Sequence, residues 1–444
     1  MCAPSHESAN AMSDSPGAPR HWRVVAIVLL GIVCASAMAD PSSSQAPTPP
    51  GPIVTGAEAF AASRFAAVAG KRVGLLTNHT GLVRGEHLAD LLRKAPNVKL
   101  TAIFAPEHGF RGTAEAGAKV RDSVDAKTGV AVFSLYGASR KPTAQMLRNV
   151  DVLVFDIQDV GARFYTYIST MGLAMQAAAA ARIPFVVLDR PNPLGGDYVS
   201  GFVLEPALRS FVGQYPIPIV HGLTVGELAR MIQGEKWLEG LDGLQLSVVA
   251  MQGWQRSMRW PQIERAWVAT SPNIPDFDAA LVYPGIGMVG ETDVNEGRGT
   301  PTPFRMFGAP WLDGARMVGR LNSLNLPGVK FEAAVYTPRA ISRVAARPRF
   351  EGIRLNGARI LATDMARVEP VEIGVHVLAL LAAEARSQRS VRLFRKLAMF
   401  HAIAGTKRLH RMLEAGSSGA AIVAAWQVEV AQFKARRARY LLYK

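Results

Sequence analysis

Cysteine is almost absent from this chain. Its 444 residues include two, Cys2 and Cys34, and both fall in a leader expected to be removed. The mature protein would then hold no thiol, which excludes disulfides, CxxC redox chemistry and cysteine metal sites. Long hydrophobic runs are missing too. With 49% hydrophobic and 19% charged residues, the chain fits neither a multi-span membrane protein nor a disordered or collagen-like one. No G-x-G-x-x-G follows the first strand-like run and no G-x-x-x-x-G-K-[ST] occurs, which speaks against a dinucleotide or nucleoside triphosphate; no cofactor is expected. Ser134 and Ser169 lack a G-x-S-x-G elbow, so a serine hydrolase is disfavoured.

What is present begins with an export signal. Arg20 and Arg23 precede an apolar stretch from Val24 to Val33, and the small residues Ala35 to Ala39 follow. Cleavage after Ala39 fits an A-x-A site and predicts a periplasmic or secreted protein. The organisation expected is a signal peptide at 1–39, a Pro/Ser/Ala-rich linker at 40–68, a catalytic domain at 69–278 and a smaller domain at 279–444. The formal charge is +15. With no nucleic-acid motif visible, the partners expected of an exported basic protein are anionic envelope polymers rather than nucleic acid. The cations from Lys434 to Lys444 are either a solvated helix face or part of that contact.

From Lys71 to about Arg190, short β-branched runs alternate with helical stretches, which predicts an α/β fold with a doubly wound parallel sheet. The part beyond 278 reads as α+β. Polar residues stand just past each strand-like run: Asn78-His79, Glu107-His108-Gly109, Tyr136-Gly137, Asp156 to Asp159, and Asp189 to Asn192. Open α/β sheets bind ligands outside the carboxyl ends of their strands, so these clusters converge on one rim.

Three constellations, two on that rim and one in a later loop that could close over it, carry candidate chemistry. Glu107 follows an apolar strand and is followed by glycines, a setting for a general acid; the alternative is a pairing with Arg111. Asp156 and Asp159, with Arg163, Tyr165 and Tyr167, suggest a sugar site with a second carboxylate; the alternative is that an aspartate fixes Arg163 and the tyrosines are core. The loop from Gly290 to Thr300 brings Glu291, Glu296 and Arg298 between glycines, as a lid or as a solvated turn. His79, His108 and His221 with Glu107, Asp156 or Asp189 offer a metal-dependent alternative, but no H-E-x-x-H spacing supports it and no metal is expected.

Gly74 to Gly81, Pro106 to Gly112, Phe155 to Tyr167, Asp189 to Gly196 and His221 to Thr224 together resemble the exo-β-N-acetylmuramidase (NamZ) family. The resemblance runs from about residue 71 to the end. It implies a Rossmann-like catalytic domain with an auxiliary domain, and release of N-acetylmuramic acid from the non-reducing ends of peptidoglycan-derived saccharides without a cofactor. It also implies Glu107 as the catalytic glutamate, with Asn78, His79, His108, Asp156, Asp159, Arg163, Tyr165 and Arg298 in pocket motifs. Where relatives commonly read Glu-Gly-Thr-Asn, this chain reads Gly290-Glu291-Thr292-Asp293, so a glutamate stands one position later.

Overall fold

Six strands form the parallel part of the main sheet: β1 (Arg72–Thr77), β2 (Lys99–Ala105), β3 (Ala131–Ser134), β4 (Val152–Asp156), β5 (Phe185–Leu188) and β6 (Leu246–Val249). Their spatial order is β3-β2-β1-β4-β5-β6, and the short strand Ser123–Val124 adds antiparallel at the β3 edge. This is the Rossmann order. The computed structural model describes residues 52–111, 121–137, 139–388, 390–394 and 396–444. The expected leader at 1–39 and its cleavage position lie outside them.

The strands are continuous apolar runs because both faces of the sheet are covered. Alternate residues divide between two cores: Leu76, Phe104, Leu153, Phe155 and Val187 face one, while Leu75, Ile103, Val154, Val186 and Leu188 face the other. The helix Tyr167–Ala181 belongs to the first layer and Leu88–Lys94 to the second. Thr224 caps the helix Val225–Gly234 through a capping box with Glu227.

Beyond the parallel sheet, β7 (Met306–Ala309), β8 (Val329–Tyr336) and β9 (Leu355–Ala362) form an antiparallel sheet in the order β7-β9-β8. The helices Phe277–Val289 and Pro370–Arg386 meet in backbone contact at Gly285 and Gly374, where an added Cβ on either would overlap the other helix. The boundary expected near Asp278 falls at the start of the first of these helices. The described residues, from 52 onward, cluster as one compact unit.

Two expectations need correction. The linker does not extend to residue 68: Thr55 and Glu58 form a capping box on the helix Gly56–Ala62, and Phe60 and Val68 are buried in the core. The Gly56 amide donates to Asp189 O at 2.8 Å, tying this segment to the end of β5. The basic tail is also only partly available to anionic polymers. Arg437 is buried and donates to the carbonyls of His221, Gly222 and Gly196, and Arg439 pairs with Glu235. Lys434 and Arg436 remain exposed.

Candidate active site

The polar clusters at the strand ends separate into a structural group and a cavity-lining group. At the switch point between β1 and β4 the rim carries a buried ion pair. Arg190 Nε and Nη2 donate to the two carboxylate oxygens of Asp156 at 2.6 and 3.0 Å, and Arg190 also reaches Leu82 O at 3.2 Å. Asp156 is fully buried, so it is a structural ion-pair member and not the second carboxylate of a reaction. Breaking such a pair by removing one partner costs about 3–5 kcal/mol.

Arg163 is likewise corrected. Its guanidinium is inaccessible and donates to the carbonyls of Phe202, Ile217 and Ile403 at 2.7, 2.8 and 2.9 Å, so it ties chain segments together instead of meeting a substrate. Asn78 turns the chain after β1, its Oδ1 accepting from the Thr80 amide and hydroxyl at 3.0 and 2.6 Å. His79 Nε2 sits 2.5 Å from Ala269 O, and burial pushes the imidazole pKa down, favouring the neutral ring that donates there. Neither Asn78 nor His79 lines the main cavity.

That cavity, of about 650 Å³, opens beyond β2 and β3. Pro106 to Gly109 turn immediately after β2, with Gly109 N donating to Pro106 O at 3.0 Å. Two successive residues take left-handed conformations, His108 at φ 69° and Gly109 at φ 74°. A non-glycine residue held there costs on the order of 1 kcal/mol and marks a backbone shaped for its site. Glu107 is thereby presented to the cavity, half-buried. Thr166 Oγ1 donates to Glu107 Oε2 at 2.8 Å. The Tyr136 hydroxyl also bonds Glu107; burial first and that carboxylate second push the phenol up to about 12, so Tyr136 stays a donor. Arg111, the alternative partner, is engaged by Asp125 at 2.9 Å instead.

The opposing chemistry comes from the loop after the helix Phe277–Val289. Glu291 lines the cavity, and burial, then the nearby Glu296, push its carboxyl up. Gly290 could not carry that side chain without displacement, because its Cβ would lie 2.9 Å from Glu296 Cδ. Arg298 pairs with Glu296 at 3.0 Å and stands 5.2 Å over the Phe304 ring. Tyr283 meets Phe304, Phe164 and Tyr165 edge to face at 4.9, 5.2 and 5.8 Å, giving the cavity an aromatic wall. At its other side Arg140 stacks on Phe211 at 4.3 Å. Two carboxylates, an arginine and aromatic faces are what a glycosidase needs to bind a sugar ring and move protons. Among the described residues no group of three His, Cys, Asp or Glu side chains is placed to hold a metal.

Comparison with known proteins decides the family. The model of the N-terminal part of exo-beta-N-acetylmuramidase NamZ matches residues 73–278, and that of the C-terminal part matches 281–443. The chain belongs to the NamZ family. It is 40% identical over 418 residues to the peptidoglycan beta-N-acetylmuramidase NamZ of Bacillus subtilis, covering 94% of this chain and 97% of that protein. Two crystal structures of DUF1343 family proteins from Bacteroides fragilis are similar. One has a TM-score of 0.80 at 39% identity and covers 88% of this chain and 99% of its own; the other has 0.72 at 34%, covering 89% and 99%.

In this NamZ-family chain, Glu107, His108, Tyr165 and Arg298 share one cavity, whereas Asn78, His79, Asp156, Asp159 and Arg163 do not line it. Sequence reasoning gave no role to Tyr136, Thr166, Asn273 or Tyr283. Tyr136 was visible as a strand-end residue, but Asn273 sits in a Pro-rich turn that reads only as a domain exit.

Asp159 is buried. Its Oδ1 accepts from Gly161 N at 2.7 Å, its Oδ2 has no hydrogen-bond partner among the described residues, and burial pushes its pKa up to about 7. The folded state therefore holds this proton more tightly than the unfolded chain, and stability falls as pH rises from about 4 to 7. Asp159→Asn keeps the acceptor and cannot ionise. We expect its Tm to exceed that of the native protein by about 5 °C at pH 8 and to match it near pH 4. Asp189, also raised to about 7 by burial, leaves a residual slope of the same sign. Equal Tm values at pH 8 would show that Asp159 ionises at no cost.

Proposed function

We propose that this protein is an exo-acting glycoside hydrolase that releases N-acetylmuramic acid from the non-reducing ends of peptidoglycan fragments. The observation that carries this reading is the pairing of Glu107 and Glu291 in one aromatic-walled cavity at the carboxyl rim of the sheet. The volume is within the range of small-molecule sites. Family membership supplies the sugar.

In the mechanism proposed, Glu107 protonates the leaving glycosidic oxygen, with Thr166 and Tyr136 fixing its orientation. Glu291, made more basic by burial, is the second carboxylate, which acts on the anomeric side or on the water that attacks it. The leaving sugar lies toward Tyr136, Arg140 and Phe211, and the terminal sugar toward Tyr283, Glu291 and Arg298. We also propose that the protein is exported to the periplasm or medium, where it meets this polymer; the Arg20 to Ala39 pattern supports that, and exposed Lys434 and Arg436 are available to anionic wall polymers.

Time-dependent release of the chromophore from a chromogenic N-acetylmuramide tests the activity. Binding of the sugar with no release by the full-length folded protein would instead mark a glycan-holding module.

A further inference from the structure

A second cavity adjoins the first. It has a volume of about 260 Å³, and Asn273, Glu291 and Arg298 line both. Arg347, Arg349 and Lys396 complete its basic wall, so four cationic side chains face two acids, Glu291 and Glu296. Part of this charge is balanced internally. Arg298 pairs with Glu296 at 3.0 Å and Arg349 with Asp293 at 3.2 Å. Arg347 and Lys396 have no ion pair among the described residues.

The junction between the two cavities also holds unsatisfied polar groups. Asn273 Oδ1 and Arg298 Nε are both buried and have no hydrogen-bond partner among the described residues. Buried polar atoms without partners cost free energy, and in a preformed site a ligand is one way to recover it. The walls are rigid. The fully buried Asn295 donates to Arg298 O at 3.1 Å and Arg349 O at 2.9 Å, while its Oδ1 accepts from Gly297 N and the Tyr336 hydroxyl at 2.8 and 3.0 Å. One side chain thus locks together the two loops that present Arg298 and Arg349.

A fixed set of cations beside a sugar cavity is suited to an anionic substituent on the sugar. Muramic acid differs from glucosamine by one such group, the carboxylate of its 3-O-lactyl ether. Building on the muramidase reading, we propose that this side cavity is an anion subsite that takes the lactyl carboxylate. Arg347 and Lys396 provide the uncommitted charge and so set the preference for the acid-bearing sugar. Glu291 lines both cavities and so joins the reacting centre to the subsite.

The test compares N-acetylmuramic acid with its lactyl amide, which keeps the shape and removes the charge. Calorimetric dissociation constants are measured for the full chain and for Arg347→Ala, Lys396→Ala and the double variant. Both positions are exposed, and thermal melts check folding. The native protein is expected to bind the acid at least about tenfold more tightly than the amide, and the double variant to bring that ratio close to one. With a chromogenic N-acetylmuramide, the same variant should raise KM about tenfold and change kcat by less than about twofold. An acid-to-amide ratio unchanged in the folded double variant would overturn the subsite while leaving the muramidase reading intact. Failure of the native protein to bind or cleave either muramyl compound would instead overturn the functional reading itself.

Discussion

Glu107→Gln is expected to lower kcat on a muramic acid-terminated disaccharide by about 10²- to 10⁴-fold, the usual contribution of a positioned general acid. Glutamine preserves the acceptor for Thr166 and the shape of the turn from Pro106 to Gly109, so folding and KM should change little. The loss should depend on the leaving group. An aryl muramide with an acidic phenol departs without needing a proton, so its rate should fall much less than that of the disaccharide. Equal losses on both substrates would move Glu107 from proton donor to the anomeric side, and wild-type turnover on both would remove it from the chemistry.

Glu291→Gln is the second large effect. Since Glu291 is the other carboxylate lining the cavity, its replacement should reduce kcat by about 10²-fold or more on disaccharide and aryl substrate alike. Here the leaving group should not matter, which separates the two roles. The pH profile gives an independent sign. Burial and Glu296 raise the Glu291 carboxyl, and a base must be ionised to work. Native activity should therefore fall as pH drops through a value above the ordinary glutamate range, and this acid limb should disappear from the residual activity of the variant. An unaltered acid limb would assign it to another group.

The contrast between Glu291 and Asp156 shows what the sequence made legible. Strand ends and their polar residues could be read from apolar runs followed by Asn, Glu or Asp, and the Rossmann order then places those residues on one rim. Whether a rim carboxylate faces a cavity or an internal partner depends on contacts between distant segments. Asp156 lost its accessibility to Arg190, 34 positions away. Arg163 met carbonyls as far off as Ile403, 240 positions along the chain. No local pattern carries that information. Glu291 was visible as a transposed glutamate, yet that it lines the cavity beside Glu296 is a contact no local pattern shows. The segment before β1 is a different case. Its Thr55 to Glu58 capping box was readable, but the Pro-rich composition just upstream obscured it.

The stability of the site and its chemistry are arranged in separate layers. The Asp156–Arg190 pair and the carbonyl contacts of Arg163 are buried inside the protein and join distant chain segments. Glu107 and Glu291 stand where solvent and sugar can reach them. Protonation changes in the cavity can then occur without unpairing the charges beneath it.

The most direct measurement is product analysis after incubation of the protein with the disaccharide N-acetylmuramyl-β-1,4-N-acetylglucosamine and with longer muramic acid-terminated chains. Free N-acetylmuramic acid, appearing one sugar at a time from the non-reducing end, is the expected result. Internal cleavage of the longer chains, or release of glucosamine from chains that begin with it, would contradict the account.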